Sequence, residues 1–255
     1  MALAEEERGE FFRNWMKNQR PHLDYLVNWS PKHRFIYVET PKVACTTVKR
    51  VLQRAEVEGD TARLPDNVHD RASSPLKKPS EDLDGFIKDL EDPGVLLFCF
   101  VRDPFTRALS CYLDKFVSNQ WERNRLGPEL GFERGEEVSF ERFLRAVADQ
   151  EPMQRDIHWM TQCDLIRPRK MKYDFIGRFE NFAADFQSVL TALQLDGGEE
   201  TSQRHNVTDA SGKAASHFGP EEVSLVRSIY AADFDHYGYG GQPLARFLAE
   251  PASAG

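Results

Sequence analysis

Two groups of residues carry types and spacings that could do chemistry. The first is Thr40-Pro41-Lys42-Val43-Ala44-Cys45-Thr46-Thr47, which follows the β-rich run RFIYVE (34–39) and opens the helical pattern CTTVKRVLQRAE (45–56). A strand-to-helix turn aims backbone N–H groups and the positive end of a helix at an anion. Lys42 adds a point charge, and Thr46 and Thr47 add hydroxyl donors in the first turn. That is the chemistry of a phosphate cradle. It is not a Walker A loop, because G-x-x-x-x-G-K-[ST] is absent, the lysine precedes the turn, and no strand-terminal Mg²⁺-binding aspartate follows. Taken alone, an ordinary βα turn with an exposed lysine explains it equally well.

The second group is Phe100-Val101-Arg102-Asp103-Pro104-Phe105-Thr106-Arg107-Ala108-Leu109-Ser110-Cys111-Tyr112. Arg102 ends the continuous apolar run VLLFCFV (95–101), and ligands of open α/β sheets bind at the carboxyl ends of such strands. Ser110 lies eight residues on, about two helical turns, so the pair could close on one phosphate from two sides. The bland reading pairs Arg102 with a carboxylate and leaves Ser110 incidental. It weakens when both groups occur in one chain.

These residues need elements to position them. Runs 34–39, 95–101 and 173–179 read as strands, and helical periodicity marks 5–19, 45–56, 83–90, 104–117, 140–147, 182–193 and 220–234. Asp103 and Pro104 form a helix start, as N-cap and first helical residue. Segments 57–80, 119–135 and 196–218 read as loops. Strands alternating with helices predict a single α/β, P-loop-like domain over residues 1–255, with a short central parallel sheet flanked by helices. Residues 1–30 form an N-terminal helical extension and 245–255 a frayed tail.

Composition narrows the function. Of 255 residues, 33 are Lys or Arg and 41 Asp or Glu, a net charge of −8 that disfavours a nucleic-acid or anionic-membrane binder. Hydrophobic residues at 40% suffice for a full core. The acidic N-terminus lacks the apolar stretch of a signal peptide, and no window reaches the roughly 20 apolar residues of a membrane span. Cys45, Cys99, Cys111 and Cys163 show no C-x-x-C spacing, which indicates neither a zinc site nor a disulfide framework. A soluble, cytoplasmic enzyme is the expectation.

PKVACTT followed by VRDPFTRALSCYLDKF resembles the sulfotransferases that use 3′-phosphoadenosine-5′-phosphosulfate (PAPS). The first motif is similar to their 5′-phosphosulfate loop and the second to their 3′-phosphate motif. Within that group the likeness is to carbohydrate sulfotransferases of the HNK-1 and chondroitin 4-O type. Phe140-Glu141-Arg142-Phe143-Leu144, His158-Trp159 and Tyr173–Glu180 resemble later blocks in the same order, so the likeness covers about residues 34–240. Three departures stand out. The chain is acidic and shows no anchor where animal members are Golgi-anchored and basic. A single Cys163 stands in place of a Leu-Cys-x-x-Cys segment, and Ala44 replaces a more usual glycine.

The resemblance implies in-line sulfuryl transfer from PAPS to a hydroxyl, leaving 3′-phosphoadenosine-5′-phosphate (PAP), with no metal. Lys42 would neutralise the bridging and sulfonate oxygens. Val43, Ala44 and Cys45 through their backbone, with Thr46 and Thr47, would hold the 5′-phosphate, and Arg102 and Ser110 the 3′-phosphate. The acceptor is expected to be a glycan or other carbohydrate. His69, in the loop between the motifs, is the first candidate base, followed by His158 and the carboxylate of Glu39.

Lesser expectations concern other residues. Arg178 and Glu180 buttress the core, Arg107 makes a salt bridge or a phosphate contact, and Arg204-His205-Asn206 covers the nucleotide. The basic run Arg167, Arg169, Lys170 and Lys172 is a solvated face or docks an acidic glycan. Loops 57–80 and 119–135 shape the acceptor pocket. Two other classes stay open: a P-loop-type kinase binding Mg²⁺-ATP, and a non-catalytic PAP- or nucleotide-binding module.

Overall fold

The computed structural model describes residues 5–198 and 216–239. Their α/β architecture is built on a four-stranded sheet in the order β1 (Val27–Ser30), β2 (Phe35–Val38), β3 (Leu96–Val101) and β4 (Phe175–Arg178). Strands β2, β3 and β4 run parallel in the registers Tyr37↔Phe98 and Phe100↔Gly177. β1 pairs antiparallel with β2, Asn28 opposite Tyr37. The sheet is therefore mostly parallel, and β1 is an edge strand that the sequence patterning assigned to the N-terminal extension. Helix α1 (Glu5–Leu26) leads into β1, with a non-helical break at Gln19 just before Pro21. Proline cannot supply the N–H that would continue a straight helix.

Two compact units share the described residues. The first comprises 5–101 and 166–198 and holds the sheet, α1, α2 (Cys45–Glu56), α3 (Leu83–Glu91) and α8 (Phe182–Leu193). Phe35, Tyr37, Phe98 and Phe100 alternate onto one face of the sheet and pack with Val48, Val51 and Leu52 of α2 and Phe186, Val189 and Leu190 of α8. Ile36, Val38, Leu97 and Cys99 bury the other face, which is why these strands read as unbroken apolar runs. Gly177 is required in β4, because a Cβ there would overlap the Phe100 ring.

The second unit comprises 102–165 and 216–239. It holds α4 (Pro104–Tyr112), α5 (Gln120–Leu126), α6 (Phe140–Asp149), α9 (Pro220–Ile229) and α10 (Ala231–Tyr237); α7 (Gln162–Ile166) stands at its return to the first unit. Tyr112, Phe116, Phe143 and Trp159 form one aromatic cluster, while Phe105 packs on Phe218 and Phe234. The chain leaves the first unit after Val101 and returns at Ile166, so no contiguous linker marks either boundary.

Two sequence expectations change. The helix after Asp103 keeps α geometry only to Tyr112 and widens into a π turn over Leu113–Val117. Segment 119–135 is not simply a loop. It contains α5, capped by the Asn119 side chain, and a 3₁₀ turn over Gly127–Leu130. The frayed tail expected at 245–255 lies outside the described residues.

Candidate active site

In the first unit, β2 feeds Glu39–Ala44, and α2 begins at Cys45. Two non-glycine residues of this turn take left-handed backbone, Lys42 at φ 70° and Ala44 at φ 54°. Each costs about 1–2 kcal/mol for an L-residue, and such strain persists where the surroundings over-determine it. Val43 between them is fully buried in the core cluster and anchors the turn. Ala44 is the N-cap of α2 and offers no side-chain hydrogen bond to its first turn. The leading amides of α2, the Lys42 backbone and the Thr46 and Thr47 hydroxyls thus share one strained strand-to-helix turn, which favours an anion.

Behind the turn lies a buried charge cluster. Lys49 and Glu39 are almost completely inaccessible and form an ion pair at 2.6 Å, Nζ to Oε2. Lys49 Nζ also stands 2.7 Å from His69 Nδ1, and His69 Nε2 stands 3.0 Å from Thr46 Oγ1. An ammonium only donates, so Nδ1 accepts, and the neutral ring carries its proton on Nε2, which donates to Thr46. The loop expected at 57–80 is pinned in place to present His69. Gln53 donates to the Val68 carbonyl, and Arg71 donates to Asn28, Ser74 and the carbonyls of Asp24, Val27 and Lys77.

Donor atoms of Glu39, Cys45 and His69 all lie within 4.8 Å of one another, a grouping the sequence spacing does not reveal. Lys49 is the cation that stands against two of the three. A divalent ion would have to displace it and strip the Cys45 proton, which burial and the Glu39 carboxylate hold on more tightly than usual. Glu39, a sequence candidate for the base, is the partner of Lys49.

In the second unit, Asp103 caps α4 by accepting from the Thr106 amide at 3.0 Å, with Pro104 as first helical residue, as the sequence predicted. Arg102 and Ser110 are both buried. Arg102 Nε donates to Thr106 Oγ1 at 3.1 Å, and Thr106 shares an i, i+4 face of α4 with Ser110. The Arg102 N–H donates to Gln162 Oε1 at 2.8 Å, and Gln162 Nε2 donates to the Arg102 carbonyl at 2.9 Å. Arg107 is fully buried and donates to the carbonyls of Met160 and Ile157, so it braces the 157–160 turn, a role the sequence did not suggest.

His158 is half-buried in the same unit, with Nδ1 2.5 Å from Asp156 Oδ1. Burial alone would raise the Asp156 carboxyl, but the hydrogen bond and charge of His158 outweigh it and hold it below its usual range. The ring therefore donates from Nδ1 to an ionised carboxylate. Arg178 and Glu180, expected to buttress the core, are exposed instead, and the Arg178 amide donates to Asp185. In the basic run, Arg167 lies over the Trp15 ring at 5.9 Å. Arg204-His205-Asn206 lies outside the described residues.

The sequence reading missed Lys49, Gln53, Arg71, Asp156, Gln162 and Asp233, and assigned no role to Thr106. Lys49 left a signal, since Thr46, Lys49 and Gln53 fall at i, i+3 and i+7 on one face of α2. Gln162 and Asp233 left none, because their partners are distant in sequence.

Residues 26–240 match the family described as "Sulfotransferase family". The chain belongs to the sulfotransferase family. Similar sulfotransferases include carbohydrate sulfotransferase 14 of Mus musculus, 33% identical over 63% of this chain and 44% of the relative. The Danio rerio protein of that name is 30% identical over 84% of this chain and 61% of its own length. Carbohydrate sulfotransferase 8 of Mus musculus is 27% identical over 82% of this chain and 54% of the relative. The chain thus spans about half the length of such sulfotransferases. No solved structure matches it.

These relatives overturn the cytoplasmic expectation: carbohydrate sulfotransferases are Golgi membrane-anchored proteins, not cytoplasmic ones. Among the described residues no helix is long and apolar enough to cross a membrane.

Proposed function

We propose that this sulfotransferase moves the sulfuryl group of PAPS to a hydroxyl of a carbohydrate. The observation that carries the reading is the strained Lys42–Ala44 turn at the head of α2, within a chain matched to the family over residues 26–240. The names of the relatives supply the carbohydrate acceptor.

In this reading the amides of Val43, Ala44 and Cys45, with Thr46 and Thr47, hold the 5′-phosphate. Lys42 balances charge that builds on the bridging oxygen as PAP leaves. Arg102 and Ser110 take the 3′-phosphate, with Thr106 fixing the direction of the guanidinium. The acceptor proton goes to a histidine. What supports His69 over His158 is its 3.0 Å approach to Thr46, a residue of the donor turn. Nε2 carries the ring proton in the free chain, so base action requires Lys49 to release Nδ1 and the proton to move to that side. A chain in which Lys49 never lets go would bind the nucleotide without turnover, which is the second reading.

Transfer of radiolabelled sulfate from PAPS to a panel of carbohydrates, each without added metal, separates the two. The proposal expects label in acceptor for the wild type, its loss in His69→Ala, and retention in His158→Ala. PAP binding in His69→Ala with no label from the wild type on any carbohydrate would favour the non-catalytic module.

A further inference from the structure

Gln162 is completely buried at the start of α7, yet its side chain turns away from that helix to Arg102. The last paired residue of β3 is Val101, opposite Arg178. One residue later the ladder has ended, and the peptide groups of Arg102 need partners from elsewhere. The Gln162 amide supplies both, accepting from the N–H at 2.8 Å and donating to the carbonyl at 2.9 Å. A primary amide donates and accepts through separate atoms, as a peptide group does, so it stands in for one residue of a neighbouring strand.

Gln162 is itself held. The fully buried Asp233 carboxylate of α10 accepts from the amides of Gln162 and Cys163, each at 2.8 Å, and from Gln162 Nε2 at 3.4 Å. The chain of contacts runs from the Asp233 carboxylate, through one side-chain amide, to the backbone of Arg102. At the far end the guanidinium direction is set by Thr106. Moving the Arg102 Cα by a fraction of an ångström would re-aim the whole side chain, which spans six bonds.

We infer that Gln162, locked by Asp233, is a positioning residue for Arg102 and a determinant of preference for a nucleotide bearing a 3′-phosphate over one without it. The inference rests on the assignment of Arg102 to the 3′-phosphate. Nucleotide pairs differing only in that group therefore isolate it.

Calorimetric affinities for PAP and for adenosine 5′-phosphate, measured on the wild type, Gln162→Met and Asp233→Asn, provide the test. In the wild type PAP binds more tightly than adenosine 5′-phosphate. In Gln162→Met the PAP affinity falls by roughly tenfold or more, while that for adenosine 5′-phosphate stays within about twofold. Asp233→Asn, which keeps one acceptor oxygen, shows the same selective loss with smaller size and covers the case in which Gln162→Met does not fold. Equal losses for both nucleotides, or none for either, would overturn the inference and leave Gln162 a structural brace. A wild type that does not distinguish the two nucleotides would instead overturn the 3′-phosphate assignment of Arg102.

Discussion

Lys49 Nζ stands 2.7 Å from Nδ1 of His69, deep in the first unit and directly behind the turn that carries Lys42. An ammonium in that position dictates which imidazole nitrogen holds the proton, and it does so without touching solvent. Long-range proton–nitrogen spectra of histidine-labelled protein should show His69 in the Nε2–H form. Lys49→Met removes the donor, and the Nδ1–H form should then grow in. An unchanged His69 pattern in the variant would show that Lys49 does not set the tautomer.

The same lysine is half of a buried ion pair. Removing it leaves the Glu39 carboxylate without compensation, which typically costs about 3–5 kcal/mol. Adding Glu39→Gln should recover most of that loss, because the double variant buries no charge. Urea unfolding of the two single variants and the double variant measures the coupling. Additive losses would mean that the 2.6 Å contact contributes no pairwise energy.

Ala44 sits at φ 54°, where a side chain is penalised and glycine is not. Ala44→Gly should therefore raise stability by up to about 1 kcal/mol, after the entropy that glycine loses on folding is subtracted. This reverses the usual effect of glycine at a helical position. Thermal or urea unfolding reads it directly, and a clear destabilisation would mean that the turn is not strained at Ala44.

The strands that carry the turn were legible because both faces of β2 and β3 are buried and their sequences are unbroken apolar runs. The cap at Asp103-Pro104 was legible because it is purely local chemistry. β1 was not, since VNWS is only four residues long, too short for its alternation to stand out, and gains its place by pairing with β2. The helix inside 119–135 was hidden by its polarity, with Leu126 as its buried residue. Among the candidate site residues, Lys42, Arg102 and Ser110 stood out through spacing, whereas Gln162 and Asp233 act across 60 and 71 residues and leave no local trace.

Cysteine reactivity offers a pH test. Burial, with the Asp233 carboxylate beside it, pushes the Cys163 thiol up to about 12. Because the folded value is raised, the stability linked to this proton is complete below the unfolded thiol value near 8.5 and is lost as pH climbs towards the folded one. At pH 8.5 the folded thiolate fraction should therefore fall well below that of a free thiol, and alkylation by iodoacetamide should slow accordingly. Labelling of Cys163 at the free-thiol rate, followed by peptide mass spectrometry, would contradict the half-buried setting beside Asp233.

We propose that this chain holds a PAPS-type nucleotide without a metal, through Lys42 on one motif and Arg102 on the other. Calorimetric titration of PAP in the presence of a chelator checks this on the wild type, Lys42→Ala and Arg102→Ala. Micromolar binding to the wild type, weakened roughly tenfold or more in each variant, is the expected result. No binding of PAP, together with binding of ATP that appears only when Mg²⁺ is supplied, would contradict the claim and point to nucleotide-kinase chemistry.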